Sequence, residues 1–125
     1  MNFDYQYVKP IFDSVNSTEV PLLTRGEAHI TVISPPEFAL LDTIGISIEE
    51  INHIALKLNI QSSKVKLVCL GKEDVIVGGL RQVVYQLIAE SSDLVEIRRK
   101  IFQLYVTKVI LATHHCWLYV KGRIY

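Results

Sequence analysis

The sequence has few of the features that mark secreted or membrane proteins. It contains two cysteines, Cys69 and Cys116, which lie in apolar surroundings without paired spacing, so a disulfide framework or a cysteine-based zinc site is disfavoured. No segment approaches the about 18 consecutive apolar residues of a membrane span, and the N-terminal MNFDYQYVKP lacks the apolar stretch of a signal peptide. We expect a protein of the reducing cytoplasm, without a membrane partner.

Low-complexity tracts, internal repeats and linkers are also missing. Half of the 125 residues are hydrophobic and 21% are charged, a composition that disfavours disorder. A chain of this length suits one domain with a core of its own. We therefore predict a single domain over residues 1–125.

Acidic residues are absent from the last part of the chain. Residues 1–96 contain all thirteen acids and seven basic residues, a net charge of −6, whereas residues 97–125 carry six basic residues and no acid. Because aromatic residues are interleaved there, this stretch can bind phosphates and stack bases, and Lys121 and Arg123 are candidate phosphate- or RNA-binding residues. The alternative interpretation is a solvated helix face followed by a strand.

Two helices can be read from the periodicity of apolar residues. In GISIEEINHIALKLNI, Ser47 and Glu50 form a capping-box pattern, and Ile48, Ile51, Ala55 and Leu58 share one face. In SSDLVEIRRKIFQLYV, Ser92 or Asp93 is the expected cap, with Leu94, Ile97, Ile101 and Leu104 at helical spacing. A further helix around Pro10 is a weaker prediction.

Three short segments rich in valine and isoleucine predict strands: AHITVIS, SKVKLVCLG and RQVVYQLIAE. Gly78 and Gly79 precede the third segment and predict a turn. Helices and strands in this mixed order indicate an α+β fold.

One strand carries a candidate for chemistry. His29 and Thr31 are two positions apart, so their side chains leave one face of a strand while Ile30 and Val32 leave the other. An imidazole can transfer a proton to or from an oxygen in phosphate cleavage, and a neighbouring hydroxyl can donate a hydrogen bond to a non-bridging oxygen. Taken alone, the pattern is more typical of a partly buried, hydrogen-bonded strand histidine than of a catalytic site.

The residues around this pair resemble a known family. RGEAHITVISPPEF is similar to the first signature of the 2H phosphoesterase superfamily, in particular to its fungal Swiss Army Knife branch. KVKLVCLGK, VVYQLIAES and SDLVEIRRKIFQLYVTK follow in the order of that branch, so the resemblance covers residues 22–108.

The resemblance implies a two-lobed α+β fold like that of 2′-5′ RNA ligases, with one H-x-T/S motif in each lobe. It implies hydrolysis of 2′,3′-cyclic phosphates at RNA ends or of cyclic nucleotides, with two histidines sharing the proton transfers and no metal or other cofactor. On this chain, His29 takes one acid/base role and Thr31 one phosphate-binding role. Oligomeric state does not follow from it.

The second motif of the family cannot be recognised. His114 and His115 are the candidate replacements, but the positions two residues further on are Cys116 and Trp117, which offer no hydroxyl. We therefore expect a divergent tail over residues 109–125 and impaired activity. The resemblance ends at Lys108, and the next residue is Val109. Every valine codon begins with GT, as most introns do, which agrees with a tail that is translated intron. A native tail is the alternative, and both interpretations stay open.

Other constellations give weaker signals. Adjacent residues in THHC cannot easily bind one metal ion, LGKEDVIVGG lacks P-loop spacing, and His53 is expected at the edge of a helix's core face. Two functions remain: a cyclic phosphodiesterase with an incomplete second half-site, or a non-catalytic module that binds a nucleotide or RNA.

Overall fold

A computed structural model of the chain describes residues 1–24 and 26–113, without the side chains of residues 112 and 113. These residues form four α-helices and four strands, in the order β1 (Asn2–Phe3), α1 (Lys9–Val15), β2 (Ala28–His29), α2 (Pro35–Thr43), α3 (Ile48–Lys57), β3 (Lys66–Val77), β4 (Leu80–Glu90) and α4 (Ser92–Thr113). Short helical turns of three residues lie at Tyr5–Tyr7 and at Ile60–Ser62. The α+β class is confirmed. None of the helices within the described residues is long and apolar enough to cross a membrane.

Helix α3 begins with the predicted capping box. The Glu50 amide donates to Ser47 Oγ at 3.2 Å, and the Ser47 amide donates to the Glu50 carboxylate at 2.9 Å. These bonds satisfy two amides that the helix itself leaves without partners.

Helix α2 was not predicted, although it begins in the same way. Ser34 and Glu37 form a second capping box, and Pro35 and Pro36 occupy the first helical turn, where a missing amide proton costs nothing. The strand predicted over AHITVIS is accordingly too long. It ends at His29, because β1 offers only two residues for pairing and Ser34 already starts a helix.

The core lies between α2, α3 and α4. Its buried residues are Leu41, Ile46, Ile51, Leu94, Ile97 and Ile101. The predicted inner face of α4 is confirmed, with Leu104 packed at its edge. On α3 the prediction is only partly right, because Ile48 and Leu58 are 45% and 37% exposed and Ile54 packs against the core instead. The cap of α4 is Ser91, whose Oγ accepts from the Leu94 amide at 3.2 Å, rather than Ser92 or Asp93.

Strands β3 and β4 form an antiparallel hairpin. Val77 pairs with Leu80 across Gly78 and Gly79, which have φ of +59° and +80°, as a two-residue type I′ turn requires. The predicted strands and turn are confirmed, and β3 runs six residues past Gly71. A bulge between Leu67 and Cys69 interrupts the register. Many apolar side chains of the hairpin remain exposed.

The second sheet pairs β1 with β2 and fixes the start of the candidate motif. Asn2 lies opposite His29 and Phe3 opposite Ala28. The Ile30 amide donates to the Met1 carbonyl at 2.8 Å. The backbone immediately before Thr31 is therefore tied to the N-terminal segment.

Candidate active-site cleft

A cleft of about 1080 Å³ separates the N-terminal segment and β2 from the β3–β4 hairpin. One wall consists of residues from Phe3 to Val15 and of residues 21–23. The opposite wall consists mainly of β4, from Gln82 to Leu87. His29 and Thr31 both line this cleft and both are exposed. The volume suffices for a nucleotide-sized ligand, because sites for small molecules commonly measure about 300–1000 Å³.

The alternation around the motif explains this placement. Ile30 and Val32 are half-buried and pack against the core. His29 and Thr31, on the intervening positions, are exposed at the cleft, which Ile30 also borders. Thr31 lies two residues past the end of β2, so the alternation continues beyond the paired strand. The structure thus brings together the two residues that the sequence singled out.

Aromatic side chains give the cleft its second property. Tyrosine and phenylalanine side chains contribute from two separate parts of the chain, namely Phe3, Tyr5, Tyr7 and Phe12 near the N-terminus and Tyr85 on β4. Such rings can pack against the flat face of a base or the apolar edge of a sugar. The sequence analysis missed this feature, because residues 3–12 and residue 85 become neighbours only through the fold.

Charge in the cleft is sparse. Of the described residues that line it, His29 is the one that can carry a positive charge, and Glu27 is the one acid. Gln82 and Gln86 add neutral hydrogen-bonding groups on β4. Among these described residues, His29 and neutral donors such as the Thr31 hydroxyl are the groups available to an anionic ligand.

The chain after Thr31 is held by a contact from α4. Arg98 Nη1 donates to the Val32 carbonyl, and Arg98 Nη2 contacts Glu37 Oε1 at 2.5 Å. The other oxygen of Glu37 accepts from the Ser34 amide at 2.7 Å and from Ser34 Oγ at 2.8 Å. These donors, Arg98 first and Ser34 second, lower the pKa of Glu37 from 4.5 to about 2. The sequence analysis gave no sign of this contact.

The remaining candidates have different outcomes. His114, His115, Lys121 and Arg123 lie outside the described residues, so their assignments stay predictions. His53 is exposed on α3 and does not line the cleft. Between residues 1 and 113, apart from residue 25, no three histidine, cysteine, aspartate or glutamate side chains are grouped so that they could hold a metal ion.

Fold and cleft define an α+β domain in which a strand-borne histidine and a following threonine face one ligand-sized cavity. Residues 1–115 match the sequence model of a family described as Swiss Army Knife, 2H phosphoesterase domain. The chain belongs to this family. The match extends past both ends of the segment 22–108 and includes His114 and His115. No curated protein and no solved structure is significantly similar to the chain.

Proposed function

We propose that the cleft binds a nucleoside 2′,3′-cyclic phosphate, either free or at an RNA end, and hydrolyses it slowly. The observation that carries this proposal is the joint exposure of His29 and Thr31 at the wall of one cleft. Membership of a phosphoesterase family supports the reaction class. The aromatic lining supports a ligand with a base and a sugar.

Each residue has a defined chemical role in this proposal. The oxygen of a water molecule forms a bond to phosphorus, and the bond from phosphorus to one ribose oxygen breaks. His29 accepts the proton that the water loses, while the Thr31 hydroxyl donates a hydrogen bond to a non-bridging oxygen. The leaving ribose oxygen takes its proton from solvent water, and the hydroxide that remains takes the proton held by His29.

The proposed slow turnover follows from the number of proton-transfer groups. A concerted cleavage uses one base and one acid, and the described part of the cleft contains one imidazole. General acid or base catalysis contributes about 10²–10⁴ in rate per group. We therefore expect turnover to be lower by about this factor than in a site with two histidines. We also expect that His114 and His115 do not supply the second group.

Hydrolysis and binding of one probe, adenosine 2′,3′-cyclic phosphate, test the proposal together. Conversion to the phosphate monoester is followed by ³¹P NMR, and affinity by calorimetry. We expect binding by the unmodified chain, weaker binding by Thr31→Val, and loss of the slow hydrolysis in His29→Ala. His53→Ala is the matched control, because it removes an exposed imidazole that does not line the cleft.

Two results would contradict the proposal in different ways. Absence of both binding and hydrolysis rejects the function. Rapid hydrolysis that is abolished by His29→Ala and also by a double variant, His114→Ala with His115→Ala, rejects the slow turnover and shows that the tail completes the site.

A non-catalytic binding module is the second candidate function. The single imidazole among the described residues of the cleft favours it. One imidazole suffices to contact a phosphate, but it does not supply both an acid and a base. It predicts binding that depends on Thr31, with no monoester formed even on long incubation. The paired ³¹P and calorimetric measurements separate it from the first candidate.

A further inference from the structure

Arg98 connects α4 to the segment that carries the candidate motif. Its guanidinium donates to the carbonyl of Val32, the residue that follows Thr31, and to the carboxylate of Glu37 in the first turn of α2. Arg98 is separated from these partners by more than sixty residues. It is therefore a tertiary contact made by one side chain.

Glu37 extends this contact to the other end of the segment. Its second oxygen accepts hydrogen bonds from the amide and the hydroxyl of Ser34. The turn between Thr31 and Ser34 is thus fixed at Val32 directly by Arg98 and at Ser34 through Glu37. A backbone shift at Val32 moves Thr31, because the two residues share a peptide bond.

We propose that Arg98 is a positioning residue, which holds the Val32 carbonyl so that the Thr31 hydroxyl stays at the wall of the cleft. This inference rests on the proposed function, for which Thr31 contacts the phosphate. The side chain of Arg98 is 48% exposed and that of Glu37 is 42% exposed. Exposed ion pairs contribute only modestly to stability, so the proposed role depends on where Arg98 holds the Val32 carbonyl and not on the strength of the ion pair.

An arginine suits this role better than a lysine. Its planar guanidinium presents several N–H groups at fixed angles, and here two of its nitrogens reach two acceptors on different elements. A lysine ammonium lacks this fixed fork. We therefore expect Arg98→Lys to retain only part of the ligand affinity that Arg98→Gln loses.

Arg99 provides a matched control on the same helix. Its guanidinium pairs with Glu96 one turn earlier on α4, at 2.6 Å. Loss of this pair leaves the Val32 carbonyl and Glu37 untouched. Arg99→Gln therefore changes the charge of the chain as Arg98→Gln does, without changing the contact to the motif.

Affinity for adenosine 2′,3′-cyclic phosphate is the first readout, measured by calorimetry on variants whose urea unfolding shows that they are folded. We expect Arg98→Gln to weaken binding about 3- to 10-fold, in line with the loss of one net hydrogen-bonding contact. Arg99→Gln should bind as the unmodified chain does. Unchanged affinity in a folded Arg98→Gln variant would overturn the inference.

A double-mutant cycle tests whether Arg98 acts through Thr31. In a Thr31→Ala background, Arg98→Gln should cost little further affinity, because the hydroxyl that it positions is already gone. A full and additive loss in this background would show that Arg98 acts elsewhere, and would overturn the inference.

A readout without ligand separates failure of this inference from failure of the proposed function. If the unmodified chain does not bind the probe, the proposed function is wrong. The positioning role is then decided by the amide NMR shifts and hydrogen exchange of Thr31 and Val32. Changes at these amides in Arg98→Gln but not in Arg99→Gln support the role, and unchanged amides in both variants reject it.

Discussion

At the scale of single residues, Glu37 takes part in two structures at once. Its carboxylate completes the capping box of α2 through Ser34, and it also pairs with Arg98 on α4. All of these partners favour the ionised form of the carboxyl, which is why its pKa falls to about 2. Protonation of one group therefore loosens a helix start and a tertiary contact together.

This coupling predicts a pH dependence of stability. Because the pKa of Glu37 is lower in the folded chain than its ordinary value of 4.5, its contribution is fully present above about pH 5 and is lost as the pH falls toward about 2. We expect Glu37→Gln to flatten this part of the curve of unfolding free energy against pH. Urea unfolding at several pH values between about 6 and 2 measures it.

The control for this measurement is Glu19→Gln, which removes an exposed carboxylate between α1 and β2. It should leave the acid slope of the unfolding free energy close to that of the unmodified chain. An equal flattening by both substitutions would show that net charge, rather than the contacts of Glu37, sets the slope.

At the scale of elements, two capping boxes have the same residue types and spacing, but only the one at the start of α3 was predicted from the sequence. Ser47 and Glu50 precede an amphipathic pattern, so the start of α3 could be read from the sequence. Ser34 and Glu37 have the same spacing, but Ser34 was interpreted as the last residue of the strand AHITVIS. The Ser-Pro-Pro-Glu pattern was a usable signal, since proline is favoured in the first turn of a helix.

The cap of α3 gives a prediction of stability. Ser47→Ala removes the acceptor of the Glu50 amide and should lower the free energy of unfolding by about 1 kcal/mol. Ser62→Ala, an exposed serine in the short helical turn after α3, is the matched control. Urea unfolding of both variants measures the difference, and equal stability of the two would contradict the assigned cap.

Strand lengths were less predictable than strand positions. The β3–β4 hairpin follows from local signals, namely valine-rich segments around Gly78 and Gly79. The length of β2 does not follow from local signals, because β2 pairs with β1, which supplies only two residues from the distant N-terminus. Pairing between remote segments leaves no local pattern, and the motif segment beyond His29 adopts no strand although its residues favour one.

At the scale of the whole molecule, the candidate site combines local and remote information. The spacing of His29 and Thr31 predicted that they share one side, and the cleft shows both of them on its wall. The aromatic residues of the opposite walls and the contact of Arg98 arise from tertiary packing, which the sequence analysis could not reach. The chemical role of the pair stays a prediction.

The two parts of the chain have opposite net charges. Residues 1–96 carry a net charge of −6 and residues 97–125 one of +6. Among the described basic residues of the second part, Arg98 and Arg99 pair with Glu37 and Glu96, and Lys108 pairs with Glu50. These ion pairs reduce the positive field that α4 offers to an anionic partner.

The last prediction concerns Lys121 and Arg123, the candidate RNA-binding residues of the sequence analysis, because three of the four described basic residues of α4 already form ion pairs. We expect weak binding of a short single-stranded RNA that falls with rising salt concentration, since each neutralised phosphate releases counterions. A double variant, Lys121→Gln with Arg123→Gln, should weaken binding and lower the salt slope by roughly one to two units. Lys57→Gln with Lys64→Gln removes the same charge from the acidic part of the chain and should have little effect. Fluorescence anisotropy at low and high salt measures both, and absence of binding at low salt would refute the prediction.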